Sequence, residues 1–324
     1  MLAALASLAP CRRLPVHAVR HLTRRGLLLF AALGILWGIP YLLIRVSVEA
    51  VSPAILVFAR TAIGALILLP VALSRGQILA VLRRWRWVLS YSAIEIAVPW
   101  LMLSTAEQRI TSSLSGLLVA AVPLVGAVIS LRGSRQDHLG RAQVVGLLMG
   151  VLGVALVLGS DLGGLTAAAG AEMAVVVVCY ATGPQIIARR LADLPSLQVV
   201  ATSLAVCALA YLPAFLALHP ARVPAPGPLA AILTLGVVCT ALAFLVMFAL
   251  IAEVGAVRAT VVTYVNPAVA VILGVWVLGE PFRLGMGAGF VLILVGSAFS
   301  TRASRPRPPV APARAGAARA EGQL

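Results

Sequence analysis

The sequence predicts an all-α membrane protein of ten transmembrane helices, arranged as two inverted five-helix repeats. Three observations carry that prediction. Of the 324 residues, 61% are hydrophobic and only 11% charged, against about 25% charged in soluble domains. Ten apolar runs of roughly spanning length follow one another, and a bilayer core needs about 20 such residues per helix. A single sequence offset links the two halves of the chain.

The expected spans are 27–46, 53–74, 87–106, 111–131, 141–160, 170–188, 196–217, 228–250, 256–278 and 284–300. Polar or glycine- and proline-rich breaks separate them, as in "GSRQDHLGR" after the fourth and "HPARVPAPGP" after the seventh. Residues 1–26 read as a basic cytoplasmic leader, because its arginines follow a weakly apolar start, the reverse of a secretory signal. Residues 301–324 are rich in Pro, Ala and Arg and are expected to be a disordered cytoplasmic tail.

The net charge of +15 does not indicate nucleic acid. All 25 basic residues are arginines, and they lie between apolar runs or in the tails rather than on one folded face with interleaved aromatics. With both termini placed in the cytoplasm, 20 arginines fall inside and four outside (Arg45, Arg109, Arg222, Arg283), with Arg60 left within a span. That asymmetry fixes the expected orientation. The all-arginine, alanine-rich usage points to a GC-rich bacterial genome, and so to a bacterial cytoplasmic membrane.

The repeat is read from five pairs. Pro53 and Pro195 are 142 residues apart, and Pro123 and Pro267 are 144 apart. Trp37 and Tyr180, Gly146 and Gly289, and Gly153 and Gly296 are each 143 apart. The first unit is 27–160, the linker 161–169 and the second unit 170–300. Five spans per unit is an odd number, so the second unit enters the membrane from the opposite side. Inverted repeats of this kind are a transporter architecture, with the solute near the midplane between the two bundles.

The quoted residues also resemble a known family. "ILWGIPYLLIR" with "SPAILVFAR", and "CTALAFLVMFALIAEVGAVRATVVTYVNPAVAVILGVWVLGEP" with "GAGFVLILVG", are similar to the opening and closing helices of EamA-type members of the drug/metabolite transporter superfamily. The Gly279-Glu280-Pro281 turn is the most specific part. The resemblance implies movement of a small metabolite or drug across the cytoplasmic membrane, commonly outward. The first unit departs from the pattern: Asp137 stands where the second has Glu280, and Glu95 lies where the second has Cys239 and Thr240.

Glu95 sits mid-span, where an ionisable group is costly and marks a solute or proton path by default. The expected role is proton coupling, against a protonated carboxyl that only holds packing. Arg60 has three readings: a pairing with Glu95, a contact to an anionic solute, or snorkelling to the interface. In "VVTYVNPAVA", Pro267 frees a mid-helix carbonyl. Such a break is tolerated where protein or a water-filled cavity satisfies it. Tyr264, Asn266 and Pro267 are therefore expected to line a site, with Trp37 and Tyr180 as matched walls. The competing reading is a packing kink with Asn266 bonded across helices. Glu280 and Asp137 are expected to cap the helices that follow them.

No span contains a histidine and no P-loop is present, so neither an intramembrane enzyme nor an ATP-driven pump is expected, and no cofactor or metal. The partners expected are a small-molecule substrate, the lipid bilayer and protons, with no nucleic acid. A monomer and an oligomer are both compatible with the pattern. The rival to a carrier is a membrane receptor, sensor or scaffold of the same fold.

Overall fold

The computed structural model describes residues 23–133, 141–160, 166–218, 223–255 and 259–300. The expectations for the leader, the tail and Asp137 lie outside the described residues. Among the described residues every regular element is helical. Among the described residues nine helices are long and apolar enough to cross a membrane: Arg24–Ser47, Pro53–Ser74, Trp85–Ala106, Ser112–Ile129, Ala142–Gly159, Ala167–Leu191, Ser196–Leu218, Pro226–Val254 and Val261–Leu278. Leu284–Ser300, a shorter apolar helix of 17 residues, is the tenth span.

The helix ends follow from local chemistry. The first turn of a helix leaves its N–H groups without partners. Threonine hydroxyls take one each: Thr23 from Gly26, Thr111 from Leu114 and Thr166 from Ala169, at 3.0, 3.2 and 3.1 Å. Pro53 and Pro226 open the second and eighth spans, where a missing N–H costs nothing. Gly279 closes the ninth span with φ +66°. That left-handed conformation suits glycine and lets the Glu280 N–H reach back to the Gly274 carbonyl at 3.0 Å.

Packing shows the two-fold relation between the repeats. The fifth span packs on the tenth, and the second on the seventh. The third and fourth spans pack on the sixth, and the eighth and ninth pack on the first. Exchanging the units turns each of these contacts into another member of the set. The fifth and tenth spans meet through reciprocal glycines. A Cβ on Gly153 would stand 2.6 Å from the Gly289 carbonyl, and one on Gly146 would stand 2.6 Å from the Gly296 carbonyl. Side chains at these positions would force the backbones apart, as expected of small-residue contacts between membrane helices.

The fourth and ninth spans, which carry Pro123 and Pro267, are broken at matching places. The ninth begins as a 3-10 segment, Thr260–Tyr264, and becomes α-helical at Asn266–Leu278. The fourth stops at Val119 and restarts at Val122. Its first half, Ser112–Val119, packs on Asn266–Leu278, with Gly116 lying against Ala270 and Pro267. Its second half, Val122–Gly133, packs on the sixth span and makes no comparable interface with Thr260–Tyr264. The fourth and ninth spans therefore close together on one membrane face only. It is the far face, opposite the one on which the first span begins.

Candidate functional site between the repeats

The third and eighth spans each contain a turn of π-helix, Ser92–Ala97 and Val237–Leu242. A π turn inserts one residue into the α-helical register and recurs at functional sites. The causes differ. In the third span Pro99 has no N–H to give the carbonyl four residues back. In the eighth the Thr240 hydroxyl donates to the Leu235 carbonyl at 2.8 Å, the back-bonding by which threonine distorts a helix. The first turn carries Glu95 and the second Thr240 at its polar position, while Ser92 is spent on the Val88 carbonyl of its own helix.

Thr240 faces the second span. Its Oγ1 accepts from Arg60 Nε at 2.9 Å, and its methyl rests on Gly64. The Arg60 guanidinium lies over the Trp100 ring, with Cζ 3.6 Å from the centroid. Such contacts strengthen when desolvated, and Arg60 is only 7% exposed. Tyr41, Tyr180 and Cys239 lie within its electrostatic reach. Among the described residues no carboxylate comes within 4.0 Å of it; the four ion pairs all involve other arginines. Arg60 is thus a buried cation held by a hydroxyl and an aromatic face. It neither pairs with Glu95 nor snorkels to the interface.

Glu95 turns to the sixth span instead. Its carboxylate occupies the space a Cβ would take at Gly183, and Oε2 is buried with no hydrogen-bond partner. Tyr91, Cys179 and Tyr180 lie within its field. Tyr180 is the residue common to both charged centres, since Arg60 and Glu95 both act on it.

The aromatic residues repeat the symmetry. Trp37 meets Phe244 edge to face, centroids 6.2 Å apart, while Tyr180 stands by Trp100. The first pair maps onto the second by shifts of 143 and 144 residues. Trp37 and Tyr180 pack against one buried cluster that includes Val57, Trp100, Leu204 and Phe244.

The ninth span divides its polar residues. Asn266 is 8% exposed and its Oδ1 has no partner; its carbonyl and Val269 crowd Gly38 of the first span. Tyr264 leans instead on Ser297 of the tenth span, away from Arg60. Pro267 marks the change from 3-10 to α-helix.

The two faces are tied differently. On the far face Glu280 does not cap the tenth span that follows it. Its carboxylate accepts from the Ser112 and Ser113 N–H groups at 2.7 and 2.9 Å and from the Ser113 hydroxyl, so it caps the fourth span across space. Free N–H groups and the positive helix end are available there, whereas Pro281 and the turn direct Glu280 away from its own helix. Nearby, Arg45 donates to the Glu107 carbonyl at 2.7 Å, and Arg109 grips Glu172 at 3.1 Å. On the opposite face Arg84 pairs with Asp193 at 2.7 Å, and Arg190 covers Trp87 at 4.5 Å. These two arginines help to line a shallow cleft of about 340 Å³ formed with Arg83, Trp85, Arg86, Trp87 and Arg189. None of the predicted site residues borders it.

Sequence reasoning passed over Thr240 as a contact, Gly183 as the seat of Glu95, and Trp100 as more than packing. The 144-residue match of Trp100 to Phe244 was the available signal. Chemically the centre offers one unpaired cation, one unpaired carboxyl, hydroxyls and aromatic faces, groups suited to holding a solute.

Comparison with known proteins agrees with this. The model of the EamA-like transporter family matches residues 24–159 and 171–302. The protein named "Uncharacterized transporter YvbV" from Bacillus subtilis (strain 168) is 25% identical over 273 residues, covering 83% of this chain and 89% of that one. A solved crystal structure, 23% identical, superposes with a TM-score of 0.62 over 85% of this chain and 96% of its own, a likeness of fold. With two matches that together span most of its length, the chain belongs to the EamA-like transporter family and is a multi-pass membrane transporter.

Proposed function

We propose that the protein is a secondary active exporter working by alternating access. It takes a small metabolite or drug with an anionic group from the cytoplasm and exchanges it for protons. The observation that carries this reading is Arg60: a buried guanidinium with a hydroxyl and an indole ring as neighbours and, among the described residues, no carboxylate within 4.0 Å. Burying an unpaired charge is costly, and a solute carboxylate, phosphate or sulfonate supplies the missing counter-charge. Trp37, Tyr180 and Asn266 contribute aromatic faces and an amide beside it, with Pro267 setting the break. Tyr264 enters as a site residue only if the ninth span rotates.

Glu95 is the proton-coupling group. Its Oε2 is buried against Gly183 without a partner, and Tyr180 lies within reach of both Glu95 and Arg60. The arginine asymmetry places both termini and the first-span entry face in the cytoplasm, so the closed far face is the outer one. A receptor or scaffold has no use for two matched broken spans of which only one half-pair is closed.

The test is a solute library assayed for flux in proteoliposomes, with and without an imposed pH gradient. Anionic solutes are expected to accumulate, and the accumulation to collapse when the gradient is dissipated. Binding without flux would overturn the carrier reading, and flux of cations alone would overturn the role of Arg60.

A further inference from the structure

Glu107 is the most deeply buried carboxylate in the structure and has no place in the mechanism above. It ends the third span, just beyond Ala106, and is 0% exposed. Both carboxylate oxygens are buried without a hydrogen-bond partner. The Ser115 hydroxyl of the fourth span approaches the carboxyl without completing a well-formed hydrogen bond to it.

The groups that act on the Glu107 carboxyl come from the first, second and fourth spans and from the turn after the ninth. Glu280 approaches from the turn after the ninth span and Ser115 from the fourth. Arg45 comes from the end of the first span, with Tyr41 deeper in it, and Arg60 from the second. Arg45 is spent elsewhere: one nitrogen donates to the Glu107 backbone carbonyl at 2.7 Å and another lies 3.9 Å from Glu49. Glu280 already has two backbone N–H groups and a hydroxyl as donors at the helix N-terminus. Glu107 has no such donors, and burying a carboxylate without hydrogen-bond partners is costly, so the closed interface favours a proton on Glu107. Burial, and then the nearby Glu280, push its carboxyl well above the usual carboxylate range, against the opposing pull of Ser115, Arg45 and Arg60.

We infer that Glu107 is a proton-binding site of the outer gate: the fourth and ninth spans close on that face only when Glu107 carries a proton, with Glu280 joining them through the Ser112 and Ser113 donors. The proton comes from the outer solution when the interface is open and wet, and bonds to a Glu107 oxygen. It is held while the interface is shut and returns to water when it opens. The sign follows from the burial. The closed state binds this proton more tightly than the open one, so acid favours closure and rising pH favours opening. The inference rests on the transporter reading only for the word outer; its test needs neither solute nor flux.

The experiment places spin labels at the exposed positions 108 and 282, one at each side of this interface, and follows their separation against pH in full-length protein in liposomes. Infrared difference spectra recorded over the same range report the protonated carboxyl. Wild type is expected to be closed at acid pH and to open as pH rises, with loss of a carboxylic C=O band. Glu107→Gln, which keeps the shape of the protonated side chain, should stay closed at every pH and lack that band. Glu107→Asp should retain a titration at a shifted midpoint, which covers failure of the glutamine variant to fold. A wild-type separation that ignores pH, or the same pH profile in Glu107→Gln, would overturn the assignment. So would closure of the wild type by sodium at fixed alkaline pH, which would make this a metal-cation site.

Discussion

Glu95→Gln is expected to abolish gradient-driven accumulation while leaving solute exchange across the membrane intact. The amide keeps the size of the carboxyl that rests on Gly183, so the third and sixth spans should pack as before. It cannot take up or release a proton at neutral pH. Coupling between two sites is typically worth 5- to 150-fold in affinity, and the loss of accumulation should fall at about that scale. Measured in proteoliposomes, the variant should show counterflow near the wild-type rate and no response to an imposed pH gradient. Wild-type accumulation in Glu95→Gln would remove Glu95 from the coupling mechanism. Glu107, buried without a hydrogen-bond partner, would then be the next candidate to carry the proton.

Arg60→Ala should act on binding itself. A hydrogen bond to a charged group contributes about 1.5–3 kcal/mol, so the affinity for an anionic solute should fall by about 10- to 100-fold at 1.4 kcal/mol per decade. Counterflow and accumulation should drop together, unlike in Glu95→Gln. Arg60→Lys should recover only part of the loss, because an ammonium neither lies flat on Trp100 nor offers a planar fork to a carboxylate. Equilibrium binding followed by Trp fluorescence reads both variants. Unchanged affinity in Arg60→Ala would show that Arg60 serves packing through Thr240 and Trp100 alone.

Much of this was legible in the sequence because a bilayer imposes simple rules. Apolar length fixed the spans closely: 53–74 matches Pro53–Ser74 and 284–300 matches Leu284–Ser300. The repeat offset anticipated the paired breaks at Pro123 and Pro267, while the matched glycines signalled close helix approach without saying that the fifth span meets the tenth. Membrane helices must satisfy their own backbone, so a proline there leaves few alternatives.

The direction of side chains was not legible. Whether Glu95 meets Arg60 or Gly183 depends on a π turn that shifts the register by one residue, and apolar periodicity carries no trace of it. Glu280 was assigned to the helix next in sequence, whereas it caps the fourth span, 167 residues away at Ser113. A through-space cap depends on packing that one strand of sequence does not record. Glu107 went unremarked as a charge at a span boundary. The cluster of hydroxyls that follows it, Thr111, Ser112, Ser113 and Ser115, was the sign of a polar interior at that end.

The central claim is that the two faces open alternately about the Arg60 centre. Two label pairs in the same protein test it most directly, residues 108 and 282 on the far face and residues 86 and 252 on the face where the first span begins. Their separations are measured in liposomes with and without a transported solute. The account predicts changes of opposite sign, one pair widening as the other narrows. Two separations that stay fixed, or that widen together, would contradict alternating access and leave a membrane protein that binds without carrying.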